Sequence, residues 1–266
     1  MRDKFQNLYL NNAFLFAAVL EDADTCRIIL ETLLGMPVGH VTVKAEHSML
    51  FSSDCRSIRL DVYACDQERS EYNLEMQNEN EGNLAKRSRF HQAEMDVMSL
   101  KPGDDFDHLL PGYVIFICTF DPFGHGLYRY TFENICREQN FPLNDGATKI
   151  FFNTKGKIEE NVSRELVHFL HYVENTTDSF VDSLDDQMIQ KIHHRITQLK
   201  KSRKWEGRYM RFVELLNQSE RKGQRIGQEQ ILKLTSHMIQ AGEADQIPRL
   251  QNDPQFLQSM LNKYHL

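Results

Sequence analysis

Residues 58–77 read IRLDVYACDQERSEYNLEMQ. In the first half Ile58, Leu60, Val62 and Ala64 share one parity, and Arg59, Asp61 and Tyr63 the other. In EYNLEMQ (71–77), Tyr72, Leu74 and Met76 fall together, opposite Asn73, Glu75 and Gln77. A strand turns successive side chains to opposite faces, so both runs read as strands with one apolar face. The stretch between them, DQERS, closes a hairpin. Register decides whether the two acids meet. If Cys65 faces Glu71, then Asp61 faces Glu75 on the same side, with Cβ atoms about 4.5–5.5 Å apart. A slip of one residue puts the acids on opposite faces. Like charges directly opposed destabilise a sheet, and a divalent cation between them turns repulsion into coordination. Hard oxygen donors of this kind suit Mg²⁺ or Mn²⁺. The plainer alternative is a solvated strand face, which shows the same alternation.

Working outward, NNAFLFAAVLEDADTCRIILETLLGM carries two helical patterns, with Asp22 or Asp24 as cap of the second and Gly35 as its stop. VTVKAEHSMLF (41–51) reads as a first strand. LAKRSRFHQAEMDVMSL (84–100) reads as a helix and YVIFICTF (113–120), continuously apolar, as a buried central strand. GLYRYTFENI and ATKIFFNT supply further strands. From about Lys157 the pattern is helical. It includes SRELVHFLHYV, DDQMIQKIHHRITQLKK and a long run from Arg208 to Ile239, expected to loosen near Gly223 and Gly227. The division expected is a core with added strands over 1–155, helices packed on it over 156–202, and a helical C-terminal extension over 203–266.

The chain has 266 residues, 41% hydrophobic and 10% aromatic, enough for a sizeable core. Its net charge of −7 means that any DNA-facing surface is local. The five cysteines are scattered with no CxxC pair, which suits thiols in a reducing cytoplasm rather than a disulfide framework. The N-terminus does not read as a secretory signal, and the apolar run Ala13 to Leu20 is too short for a membrane span. The expected location is cytoplasmic.

A D…ExQ trio on a hairpin, after a helix and strand and before a Lys/Arg-rich helix, resembles the PD-(D/E)XK nuclease superfamily, in particular its transposase-like branch of recombination-promoting nucleases. The resemblance rests on SIRLDVYACDQERSEYNLEMQ, LAKRSRFHQAEMD, GYVIFICTFDPFG, YRYTFEN and DGATKIFFNTKG, and covers roughly residues 8–175. It implies an α/β, restriction-endonuclease-like αβββαβ core, a mixed sheet flanked by helices. That is the element order already read from the pattern. It also implies an Mg²⁺- or Mn²⁺-dependent DNA endonuclease associated with mobile elements or recombination. Asp61 and Glu75 match the family's metal-binding acids, helped by the Met76 backbone carbonyl. Gln77 stands where the superfamily pattern has lysine. Glutamine can only hydrogen-bond, so catalysis would rely more on metal or borrow a cation from Lys86, Arg87 or Arg89, the candidate phosphate contacts. Glu31 and Glu46 are candidate extra acids, each otherwise an ordinary surface carboxylate. His91 shares a helix face with Arg87 and Glu94. His193 and His194 read as surface residues, and Phe169, Tyr172 and Phe180 as core. The acids Glu79 and Glu81 sit awkwardly beside DNA.

Besides a purely structural reading, a self-associating module with an apolar C-terminal helix, two classes of function stay open. One is the active nuclease, with DNA as partner and a dimer through the amphipathic C-terminal helices as a candidate assembly. The other is a nuclease-fold module that binds DNA or a protein without cutting. An enzyme holds a cation at Asp61, Glu75 and Gln77; a binding module leaves that face empty or salt-bridged to Arg59 or Arg87.

Overall fold

A computed structural model describes residues 3–44, 62–66 and 70–266. Its elements divide into two compact units, the second beginning at residue 210. In the first, α1 (Ala13–Leu20) is capped by Asn12, whose side chain accepts from the Phe14 and Leu15 N–H groups. Asp22 caps α2 (Ala23–Leu34) by accepting from the Thr25 backbone N–H at 3.0 Å, and Gly35 ends it at φ +70°. That left-handed φ is why glycine stands there. Burial pushes the Asp22 carboxyl up. Hydrogen bonds from the Thr25 hydroxyl and N–H, with Arg195 nearby, outweigh it and hold the group below its ordinary range.

A six-stranded sheet comes next, in the order β1-β2-β3-β4-β6-β5. Its strands are β1 (Thr42–Lys44), β2 (Val62–Cys65), β3 (Glu71–Gln77), β4 (Gly112–Cys118), β5 (Arg129–Phe132) and β6 (Ala147–Asn153). The remainder of the expected first strand, 45–51, and the start of the expected second, 57–61, lie outside the described residues. β2 and β3 pair antiparallel with Val62 opposite Leu74 and Cys65 opposite Glu71. Cys65 faces Glu71 as the sequence reading supposes, while Asp61 lies outside the described residues. After β3, α3 (Leu84–Ser99) crosses over and β4 returns parallel to β3. β6 lies parallel to β4, and β5 antiparallel to β6 at the sheet edge.

β4 explains its own sequence. Val114, Ile115, Phe116, Ile117 and Cys118 are all fully buried, because the strand is covered on both faces. On one face Val114, Phe116, Cys118 and Phe151 form a cluster with Leu84 and Met95 of α3. α3 approaches closely at Gly112, where a Cβ would lie 2.6 Å from the Gln92 amide nitrogen. On the other face lie Leu74, Ile115, Ile117, Ile150 and Phe152, each 0% exposed. α1 contacts β3 and packs against α6 (Gln187–Lys200), and α2 packs on α4 (Arg164–Glu174) and α6.

A short helix, α5 (Asp178–Asp182), precedes α6. His193 departs from the surface reading. Its Nδ1 meets the Tyr172 hydroxyl at 2.8 Å and its Nε2 meets Asp178 at 2.8 Å, which ties three helices together. Phe169 and Tyr172 are fully buried, as expected of core residues, whereas Phe180 is half-buried. The long helix α7 (Arg203–Gln240) runs unbroken through Gly223 and Gly227, where the sequence predicts loosening. Its first turns belong to the first unit: Trp205 and Tyr209 pack on Phe14, and Tyr209 also on Phe5. The second unit gathers Leu234, Met238, Leu250 and Met260 into a small core with Phe256 and Tyr264. Its last helix, α8 (Pro254–Lys263), starts with proline at N1, where no N–H is needed, and is capped by Asp253. No described helix is long and apolar enough to cross a membrane.

Candidate metal and phosphate site

Glu75 and Gln77 point to the α3 side of the sheet, in register with Phe116 and Cys118. Both are only 7% exposed, and Asn73 on the same face is fully buried. An acid buried to this degree needs partners, because desolvating an unpaired charge is costly. The partners come from α3. Arg87 and His91 are four residues apart, so they share the helix face that meets the sheet.

The Arg87 guanidinium bridges the two β3 side chains. Its Nη1 donates to Gln77 Oε1 at 2.9 Å, and its Nη2 donates to Glu75 Oε1. The same group lies over the Phe116 ring at 5.8 Å, and Nη1 is 4.0 Å from Glu81 Oε2. Gln77 is held from the other end: its Nε2 donates to the Glu79 carbonyl at 2.6 Å. His91, fully buried, sets Nε2 3.2 Å from Glu75 Oε2 and Nδ1 3.4 Å from Glu94 Oε2. Among the described residues Glu75 Oε2 accepts no hydrogen bond, and neither amide atom of Asn73 has a partner. The His91 approach to Oε2 is therefore an ion-pair distance without hydrogen-bond alignment. Buried polar atoms left in this state are rare enough to need a reason.

Several predicted residues are thus brought together and others are not. Glu75, Gln77 and Arg87 converge. Lys86 and Arg89 lie on the exposed side of α3. Met76 turns its side chain into the opposite face, leaving its backbone carbonyl for any role here. Glu31 is on α2, where its carboxylate takes Arg27 and the Val38 N–H. Asp61, Glu46 and Arg59 lie outside the described residues. Glu94 follows Arg87 and His91 on the helix face already read toward the site, and Asn73 is an addition. Asn73 was visible in principle, since it has the parity of Glu75, but only packing under α3 shows that it is buried.

Does this donor set suit a divalent cation? The Glu75 carboxylate and the Gln77 amide oxygen are hard donors of the right type, and one carboxylate oxygen accepts no hydrogen bond among the described residues. Among the described residues no three acids, histidines or cysteines gather as a metal cluster. The fit therefore needs a further donor beyond these described residues.

A mixed sheet flanked by helices, with a buried ExQ pair on a central strand facing a basic helix, defines a restriction-endonuclease-like α/β protein. The chain belongs to the PD-(D/E)XK nuclease family transposases, whose family model matches residues 28–221. No curated protein and no solved structure matches it.

Proposed function

We propose that the protein is a divalent-metal-dependent DNA endonuclease acting in recombination or on mobile elements. The observation that carries this reading is Glu75, a buried acid held on the site face by Arg87 and His91, in a family of nuclease-type transposases. Asp61, Glu75 and the Met76 carbonyl would hold Mg²⁺ or Mn²⁺. When bound, such an ion lowers the pKa of its water and offsets charge on the scissile phosphate.

The chain's own residues do the remaining work. Gln77 has no titrating proton, so it cannot act as a base. Its amide instead fixes Arg87, which supplies the positive charge that a lysine would bring. Arg87 would pair with a phosphate oxygen, and guanidinium geometry allows two hydrogen bonds to it. Lys86 and Arg89, on the exposed face of the same helix, extend that surface along the DNA backbone.

One observation favours the second reading, a binding module that does not cut: Glu75 is salt-bridged to Arg87. Plasmid cleavage with Mg²⁺ or Mn²⁺ separates the two. The wild type should nick DNA, and Asp61→Ala and Glu75→Ala should each lose more than about a hundredfold in rate, the scale of removing a main charge stabiliser. Cleavage persisting in both variants would reject this site. A wild type that binds DNA but cuts with neither metal would establish the binding module.

A further inference from the structure

We infer that Arg87 is a built-in cation that competes with the divalent ion for Glu75, and that Glu81 is the acceptor to which it moves. The inference rests on the metal site proposed above and concerns its regulation.

Glu75 has two oxygens and little exposure. Oε1 carries the Arg87 Nη2, and Oε2 faces His91. A divalent ion that takes this carboxylate displaces the guanidinium from Oε1, because two positive groups at ligand distance repel strongly in a buried setting. Arg87 has somewhere to go. Its Nη1 is already 4.0 Å from Glu81 Oε2, and the Glu81 side chain is 54% exposed. A small change of side-chain torsion carries the guanidinium from Glu75 toward Glu81, or to the phosphate of a bound strand, while the Phe116 ring stays beneath it. Gln77 is oriented for the first position: the Glu79 carbonyl holds its nitrogen, so its oxygen faces Arg87. The acidic turn, ill suited to contact DNA, gains a purpose as the second seat of the arginine.

The consequence is coupling. DNA phosphate draws Arg87 off Glu75 and so raises affinity for the cation, and the cation raises affinity for DNA by the same factor. A site loaded without substrate would be disfavoured.

Calorimetric titration of Mn²⁺ into the full chain tests this without any cleavage assay. Arg87→Met keeps a side chain on Phe116 and should bind Mn²⁺ more than tenfold tighter than wild type. Arg87→Ala should do the same if it melts like wild type by circular dichroism. Glu81→Gln should bind Mn²⁺ several-fold more weakly, since Arg87 loses its second seat. Glu75→Gln should bind none. Equal Mn²⁺ affinity in wild type and Arg87→Met would overturn the competition while leaving the nuclease reading standing. Wild-type affinity in Glu81→Gln would remove Glu81 as the acceptor. Silence in wild type and both Arg87 variants would overturn the metal site itself, and the competition with it.

Discussion

Asp121 shows how one side chain organises a loop. It comes just after β4 and accepts from the backbone N–H groups of Phe123, Gly124 and Gly126, at 3.2, 2.9 and 2.7 Å, and from the Tyr130 hydroxyl at 2.7 Å. Burial raises its carboxyl, but the Tyr130 hydroxyl and the three N–H groups outweigh that and hold it below the ordinary value of 3.8. Because the folded-state value is lowered, the stabilisation is fully present above the ordinary carboxylate range and fades as pH falls through the folded value. Asp121→Ala leaves partly buried donors unpaired and should cost about 1–3 kcal/mol near neutral pH. Urea unfolding at pH 7 and again well below the carboxylate range should show the gap between variant and wild type shrinking in acid. A gap that stays constant would mean the charge is not what the loop uses.

At the scale of elements, the β2–β3 hairpin was legible because its alternation is strict and its turn is short. Those two features left few registers, and the observed one sets Cys65 opposite Glu71 and Val62 opposite Leu74. α2 was legible down to its cap and stop, since Asp22 and Gly35 are local signals. What the sequence withheld is tertiary. No periodicity says that Arg87 lands on Glu75, that Asn73 is fully buried, or that His193 bridges Tyr172 and Asp178. α7 departs from expectation for a related reason. Two glycines weaken a helix, yet neither has the left-handed φ that would end one. An added Cβ meets nothing within 4 Å at Gly223 or Gly227. Each Gly→Ala change should therefore stabilise the helix by roughly 0.5–1 kcal/mol, through the backbone entropy removed from the unfolded chain. Thermal melts of the two single variants and the double would show additive gains. A loss at either position would show that α7 needs to flex there.

For the whole molecule, the net charge of −7 sets a condition on any DNA reading. At long range the protein repels a polyanion, so binding depends on a few local cations and should be steeply sensitive to salt. The first turns of α3 offer Lys86 and Arg89 on their exposed side, with Arg87 held inward at Glu75. If the two exposed cations each neutralise one phosphate, Lys86→Ala combined with Arg89→Ala should lower the slope of log affinity against log salt by about 2, at roughly 0.9 per contact. The loss of affinity would then be largest in dilute salt and shrink as salt rises. Anisotropy titrations of a labelled duplex without divalent ions measure this with cleavage silent. An unchanged slope would mean that Lys86 and Arg89 merely face water. DNA would then have to approach by a surface that does not include these two cations.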